Sequence, residues 1–365
     1  MLGGDQLNKK STFEVLHEFV EPARANVTPE TWDYLMGGAE TETALNRNRM
    51  AIDALALRPR VLRNVEHVDL SARFLGQSWR LPVMLAPIGS LQDITEDGGV
   101  VPARAAAKFG VAHMLSSVCA PGLEEVAAAV ADYPRIFQIY VRGDENWVDE
   151  LVQRAIDHGY VAIAFTIDLD TFGRRERDVA KRYKPTARRT ASGEDHQARF
   201  NWRDIERIRK KVDVPLALKG IATREDAARA AELGVDAVYV SNHGGRQLDH
   251  VQGTLDILPE IVEEAGRRTE IIVDGGFMRG SDIVKAAAMG ADAVGIGRLQ
   301  GLAAAAGGVD GIVRMLEILE LEIRHCLMLL GVTSFSELDP SYVTKVTPLQ
   351  RNWLDSVFPL LKEGY

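Results

Sequence analysis

The segment SNHGGRQLD, from Ser241 to Asp249, sets an imidazole and a guanidinium on one short turn, His243 and Arg246. A histidine can take a proton near neutral pH, and an arginine fork can grip a carboxylate through two parallel hydrogen bonds. His17, His67, His158, His196 and His325 have no such company and read as structural. Asp168, closing the apolar run that begins at Ala162, is placed to orient His243 and stabilise its protonated form. Arg175 reads either as a second carboxylate donor or as one member of a basic run. Lys219 directly follows the apolar PLAL, where an ammonium is costly unless it meets an anion or a polar partner; a side chain that snorkels to solvent is the alternative. Two Gly-rich turns, DGGFMRGSD from Asp274 and GIGR ending at Arg298, each open a helix-like stretch. Free backbone N–H groups at a helix start, with an arginine nearby, make an anion site. Gly275, Gly276 and Gly297 would also serve plain tight turns, but the two turns together point to a phosphate-bearing cofactor. No Cys/His spacing resembles a metal site, and Cys119 and Cys326 cannot build a disulfide framework.

Eight short β-branched runs must position these groups: Pro82–Ala86, His113–Ser117, Arg135–Val141, Ala162–Asp168, Pro215–Gly220, Ala237–Asn242, Glu270–Gly276 and Ala293–Arg298. They are continuously apolar rather than alternating, as strands buried on both faces are. Ala-rich amphipathic stretches separate them, for example the one capped by Thr223 and stopped by Gly234. The expected fold is α/β, a (β/α)8 TIM barrel with Phe13–Gly38 as an N-terminal helical extension. An open doubly wound sheet would lead with G-x-G-x-x-G after its first strand, and that turn is absent. In a barrel, chemistry collects at the C-terminal ends of strands. Here those ends read Pro87-Ile88-Gly89, Ser116-Ser117, Gln138-Ile139-Tyr140, Thr166-Ile167-Asp168, Lys219-Gly220, Ser241-Asn242-His243, Asp274-Gly275-Gly276 and Gly297-Arg298. The fourth and fifth runs lie unusually far apart, so a lid or insertion is expected between Leu169 and Asp213. Within it, Arg174 to Thr190 carries 8 Lys/Arg against 2 acids, either a solvated loop or an attractor for an anion.

The 365 residues carry 43 Lys+Arg against 52 Asp+Glu, and the net charge of −9 argues against nucleic-acid binding. A hydrophobic share of 46% and a charged share of 26% exclude a disordered or collagen-like chain. No uncharged apolar stretch is long enough to span a membrane, and Met1 to Lys10 has no apolar signal core, so the expected location is cytoplasmic.

With these residues in hand, the chain resembles the FMN-dependent α-hydroxy acid oxidases and dehydrogenases, the family of glycolate oxidase, lactate oxidase, lactate monooxygenase and mandelate dehydrogenase. The resemblance runs from about Phe13 to Leu338, and SNHGGRQLD is its most specific part. WDYLMGGAE at 32–40, LAPIG at 85–89, QIY at 138–140, TID at 166–168, GRRERD at 173–178 and LKGI at 218–221 support it, as do DGG and GIGR. It implies one domain over 1–365, with a helical extension about 1–60, a barrel about 80–330 and a tail about 339–365.

By resemblance, His243 is the catalytic base paired with Asp168, and Tyr140 holds the substrate hydroxyl or stabilises developing charge. Arg175 and Arg246 clamp the carboxylate with the help of Tyr34. Lys219 stabilises the reduced flavin, while Pro87, Ile88, Gly89, Ser116, Gln138, Thr166 and Ser241 hold its ring and ribityl chain. Asp274, Gly275, Gly276, Gly297, Arg298 and, in a re-routed grip, Arg279 bind ribityl and phosphate. The implied activity is oxidation of an (S)-2-hydroxy acid to a 2-oxo acid, with electrons passing to FMN and then to oxygen or another acceptor, in a homotetramer. Oxidative decarboxylation of the lactate-monooxygenase kind, a flavin isomerase on the same barrel, a Schiff-base aldolase and a flavin binder without turnover are the alternatives. Four departures stand out: Met278 replaces the family's second phosphate arginine, Gly89 is the roomier choice beside the flavin, Val118 replaces a bulky aromatic, and the segment after the fourth strand is short. A wide pocket would lean toward aromatic or branched acids, and a short lid would expose the site.

Overall fold

The computed structural model describes residues 13–189, 196–348, 357–358 and 360–361. Residues 1–12 of the expected extension, Thr190 of the basic run and most of the tail beyond 348 lie outside them. Eight parallel strands close a barrel: β1 (Val83–Leu85), β2 (Ala112–Ser116), β3 (Arg135–Ile139), β4 (Tyr160–Thr166), β5 (Leu216–Ile221), β6 (Ala237–Val240), β7 (Glu270–Val273) and β8 (Ala293–Ile296). Each expected run overlaps one of them, within two residues at the N-terminal end in β2 and β4 and one residue at the C-terminal end in β5. Several runs continue past the regular strand, because Tyr140, Asp168, Ser241, Asp274 and Arg298 leave the ladder to enter the mouth. Gly275 shows why the ladder stops, since its φ of +109° is not accessible to a β-strand side chain.

Two apolar layers result. Inside the barrel, Ala162, Ala164, Ala217, Ala237 and Ala293 leave room that Met84, Met114 and Tyr239 fill. The outer faces of the strands pack on the helices in a second, larger core. A hairpin of Ala72–Phe74 and Gln77–Trp79 plugs the N-terminal end with Phe74, Leu75 and Trp79. Helix Arg224–Glu232 starts at Thr223, whose hydroxyl accepts from the Asp226 amide. The long helix Arg298–Leu330 breaks at Gly307 and Gly308, and strand Val343–Lys345 returns to pair with Leu55–Leu57.

The N-terminal helices sit on the mouth. Helix Pro29–Met36, capped by Thr28, carries Tyr34, and helix Thr43–Asp53 carries Asn48 and Arg49. Asp249 fixes the second of these: its carboxylate accepts from the amides of Ala44 (2.7 Å), Thr41 (3.1 Å) and Thr43 (3.3 Å). Arg49 bridges the same helix to Asp282 at 2.7 Å, with both side chains only 2% exposed. The expected insertion folds into short helices, Glu176–Ala180, Thr186–Arg189 and His196–Arg199, before the barrel helix Trp202–Arg209.

Candidate active site

The barrel mouth holds a cavity of about 240 Å³ lined from β5 and β8, the loops after β1, β2, β3, β4, β6 and β7, and helix Pro29–Met36. The loop after β6 brings His243 in with φ +58°, a left-handed conformation that a side-chain-bearing residue adopts at a cost. Its amide donates to Ser241 Oγ at 3.0 Å, which holds the turn. Nδ1 lies 3.0 Å from Asp168 Oδ1, and Nε2 lies 3.2 Å from the Tyr140 hydroxyl. Burial lowers the pKa of His243, the Asp168 carboxylate opposing it only in part, so the ring is neutral at pH 7. Burial would raise Asp168, but the adjacent imidazole and the Lys219 ammonium outweigh it and hold the carboxyl below its usual range. An ionised Asp168 accepts from Nδ1–H, which leaves the lone pair on Nε2 facing the cavity. Burial also raises Tyr140, which therefore stays protonated.

Arg175 and Arg246 flank the Tyr34 ring at 5.9 and 4.9 Å from its centroid. Arg246 donates to the carbonyls of Tyr34 (2.6 Å) and Gly37 (2.9 Å), and burial with the nearby Arg175 pushes it down to about 10, still charged at neutral pH. The Tyr34 hydroxyl donates to the Gly89 carbonyl at 2.8 Å, so it braces the β1 loop. Lys219 donates to Ser241 Oγ at 2.9 Å and lies 3.4 Å from Asp274, and Ser241 donates to Asp274 at 2.6 Å. Lys219 is buried and lines the cavity, as the apolar run before it required.

The expected cofactor residues divide. Pro87, Ile88, Gly89, Lys219, Asp274, Gly275, Gly276, Gly297 and Arg298 line the cavity. Ser116, Gln138, Thr166 and Ser241 sit at the strand ends without lining it. The Gln138 amide and the Thr166 hydroxyl are fully buried with no hydrogen-bond partner among the described residues. Buried polar atoms are rarely left so, and a polar ring edge inserted at the mouth would satisfy them. Arg298 donates to the Met36 and Gly37 carbonyls at 3.2 and 2.9 Å, against the glycine turn of Gly244. Arg279 is the exception: it caps the helix after β7 and pairs with Glu322, which also takes the Gly280 amide, so it faces away from the cavity. Met278 lines the wall in its place.

Two of the noted departures also read differently in three dimensions. A Cβ on Gly89 would meet Val118 Cγ2 at 2.8 Å, so Val118 occupies the room beside this glycine. The short segment after β4 still contributes wall to the site, with Phe172, Pro185, Ala187 and Arg188 lining the cavity. Sequence reading missed Asp178, a buried cavity-lining carboxyl raised by burial against the pull of Arg246 and Arg175. It also missed Gln197, which ties the Val141 amide to the Thr166 carbonyl, and the reciprocal Asn48–Asn242 amide pair. Asp178 stood inside GRRERD and Asn242 inside SNHGGRQLD; nothing in the local sequence marked Gln197.

Comparison with known proteins agrees with this geometry. The family model for FMN-dependent dehydrogenases matches residues 23–345. A peroxisomal (S)-2-hydroxyacid oxidase from Arabidopsis thaliana is 36% identical over 347 residues, covering 89% of this chain and 95% of that protein. A 4-hydroxymandelate oxidase from Amycolatopsis orientalis is 37% identical over 344 residues, covering 88% and 96%. An L-lactate oxidase from Nostoc is 35% identical, covering 90% and 97%. Among solved structures, mandelate oxidase superposes with a TM-score of 0.86 at 36% identity, over 93% of this chain and all of that one. A variant of the same enzyme has been solved with an FMN adduct. No helix among the described residues is long and apolar enough to cross a membrane. The chain belongs to the FMN-dependent dehydrogenase family and is an FMN-dependent oxidoreductase acting on 2-hydroxy acids.

Proposed function

We propose that this chain oxidises an (S)-2-hydroxy acid to the 2-oxo acid with His243 as proton acceptor, Arg175 and Arg246 as carboxylate clamp, and oxygen as final acceptor. The Asp168–His243–Tyr140 chain, with links of 3.0 and 3.2 Å on the wall of the same cavity as both arginines, carries the proposal. The two guanidiniums, held over Tyr34, fix the carboxylate and so aim the carbinol carbon and its hydroxyl. Neutral His243 accepts the proton at Nε2, and Asp168 stabilises the imidazolium that results. Tyr140, protonated, donates toward the oxygen on which charge develops. FMN, when bound, supplies the two-electron acceptor. Gln138 and Thr166 would meet its ring, Lys219 would face it with positive charge, and Arg298 with the Gly275–Gly276 and Gly297 turns would hold its phosphate end.

The names of the relatives, oxidases in plants and bacteria, favour oxygen. A homotetramer, on family resemblance, and a cytoplasmic location, on two free cysteines, complete the reading. Anaerobic mixing of the purified protein with (S)-2-hydroxy acids tests it. The oxidised flavin band should bleach in the wild type, and His243→Gln should keep FMN while losing the bleaching. Bleaching retained in the variant would remove His243 as the base, and re-admitted air that fails to restore the band would remove oxygen as the acceptor.

A further inference from the structure

The basic run after β4 is sorted by the fold. Arg174 pairs with Glu176, Arg177 with Glu42 and Asp33, and Lys181 with Asp33. Arg189 turns back on Lys184 and Thr186, while Arg182 and Lys184 face solvent. Among the described cations of the run, Arg175 and Arg188 line the cavity. Arg175 belongs to the carboxylate clamp, which leaves Arg188 as a cavity cation that the oxidation of a simple 2-hydroxy acid does not use.

Its position is built. Helix Thr186–Arg189 is fastened over the mouth from three sides. Asp93 accepts from the Thr186 amide at 2.8 Å and its hydroxyl at 2.5 Å, Ser90 accepts from the Ala187 amide at 2.7 Å, and Arg142 donates to the Ala187 carbonyl at 2.5 Å. Ser90 is the residue after Gly89, and a Cβ on Gly89 would lie 3.7 Å from the Ala187 Cβ, so this helix roofs the β1 loop. Arg188 follows directly, half-buried, with its guanidinium 5.0 Å from the Phe172 ring centroid. Stacking occupies one face of the guanidinium and leaves the N–H fork in its plane, the edge that matches a carboxylate. Among the described residues that fork makes no hydrogen bond or ion pair. The buried carboxylate in reach, Asp178, is drawn first by Arg246 and Arg175 and only last by Arg188.

We propose that Arg188 is a second anion subsite of the substrate pocket, and that the preferred substrates are 2-hydroxy acids with a further carboxylate at the end remote from C1. The inference rests on the function proposed above. Arg175 and Arg246 take the C1 carboxylate over Tyr34, and Arg188 takes the distal one under the roof helix. A fork already fixed by Phe172 and the pinned helix loses little freedom on binding, so the second carboxylate is recognised at low entropic cost.

Anaerobic flavin bleaching by matched pairs tests this: (S)-malate against (S)-2-hydroxybutanoate, and (S)-2-hydroxyglutarate against (S)-2-hydroxypentanoate. In the wild type, kcat/KM for the better diacid should exceed that of its monoacid partner at least tenfold. The advantage should sit in KM and shrink with added salt. Arg188→Met should bring the ratio to near one, and Arg188→Lys should restore part of it. As an equilibrium readout, 2-oxoglutarate should perturb the bound flavin spectrum at lower concentration than 2-oxopentanoate, and this preference should vanish in Arg188→Met. Monoacids that bleach the flavin as well as or better than diacids would overturn the subsite and leave the proposed function standing, as would a diacid preference unchanged in Arg188→Met. Absence of bleaching by every acid would overturn the proposed function, and the subsite with it.

Discussion

Replacing Asp168 by asparagine keeps the shape of the group that holds His243 while removing its charge. The carboxylate lies 3.0 Å from Nδ1, and both side chains are about 15% exposed, at 14% for His243 and 15% for Asp168. When Nε2 accepts a proton, the new positive charge sits about 4 Å from the carboxylate, worth about 4 kcal/mol at an effective dielectric of about 20. A charged hydrogen bond of this kind contributes about 1.5–3 kcal/mol by mutational measure. Asp168→Asn should therefore slow flavin reduction by about 2–4 kcal/mol of barrier, or roughly 30- to 1000-fold. Removing the one group that raises the His243 pKa also moves the acid limb of the rate profile to lower pH, since Lys219 and Arg175 continue to lower it. In the wild type, the base must be neutral, so activity is lost as pH falls through a pKa that already lies below 6.5. Stopped-flow reduction under anaerobic conditions, from pH 5 to 9, reads both quantities. A loss smaller than about fivefold, or one confined to KM, would refute the role assigned to the pair.

Three further perturbations probe the clamp, the pocket wall and the N-terminal helices. Arg246→Lys cannot reach the Tyr34 and Gly37 carbonyls and still present a fork, so KM should rise about 10- to 100-fold while FMN affinity stays within a few-fold; equal loss of both would place Arg246 in the cofactor site. Gly89→Ala brings a Cβ to 2.8 Å from Val118 Cγ2 and should destabilise the fold by about 1–3 kcal/mol in denaturant titration; Gly89→Ala with Val118→Ala should recover much of that, and additive losses would disprove the contact. Asp249, which burial would raise but three backbone amides and the Thr41 hydroxyl hold down to about 2, contributes about 2 kcal/mol of stability above the ordinary carboxyl pKa. That contribution disappears as pH falls from about 4 through 2. Asp249→Asn should lose it at neutral pH and flatten the acid limb; an unchanged pH dependence of Tm would rule out the cap.

The barrel was legible because its signals are local. Eight continuous apolar runs separated by helix-like, Ala-rich stretches can bury both faces only inside a ring of helices, and the Thr223 cap falls where the side-chain pattern put it. His243, Asp168, Lys219 and Arg246 were readable because a charged group beside an apolar run is costly without a partner. Arg279 was not readable: its distance along the chain from Asp274 suits a phosphate grip, yet Glu322, on a helix more than forty residues on by its separation of 42 from Gly280, takes it instead. Gly89 misled in the same way, since a missing Cβ reads as space until Val118 from the loop after β2 is seen to fill it.

The sequence by itself determined the strand order along the chain and marked Asp168, His243 and the cations that meet at the mouth, because burial and charge are properties a residue carries with it. Tertiary structure alone decided which cations are neutralised and which face the cavity. Arg174, Arg177 and Lys181 meet carboxylates on their own loop or on the N-terminal helices, whereas Arg188 is turned inward by contacts from Ser90, Asp93 and Arg142. Those contacts join residues from three separate parts of the chain, and electrostatic partnership falls off with distance in space, which one-dimensional spacing does not encode.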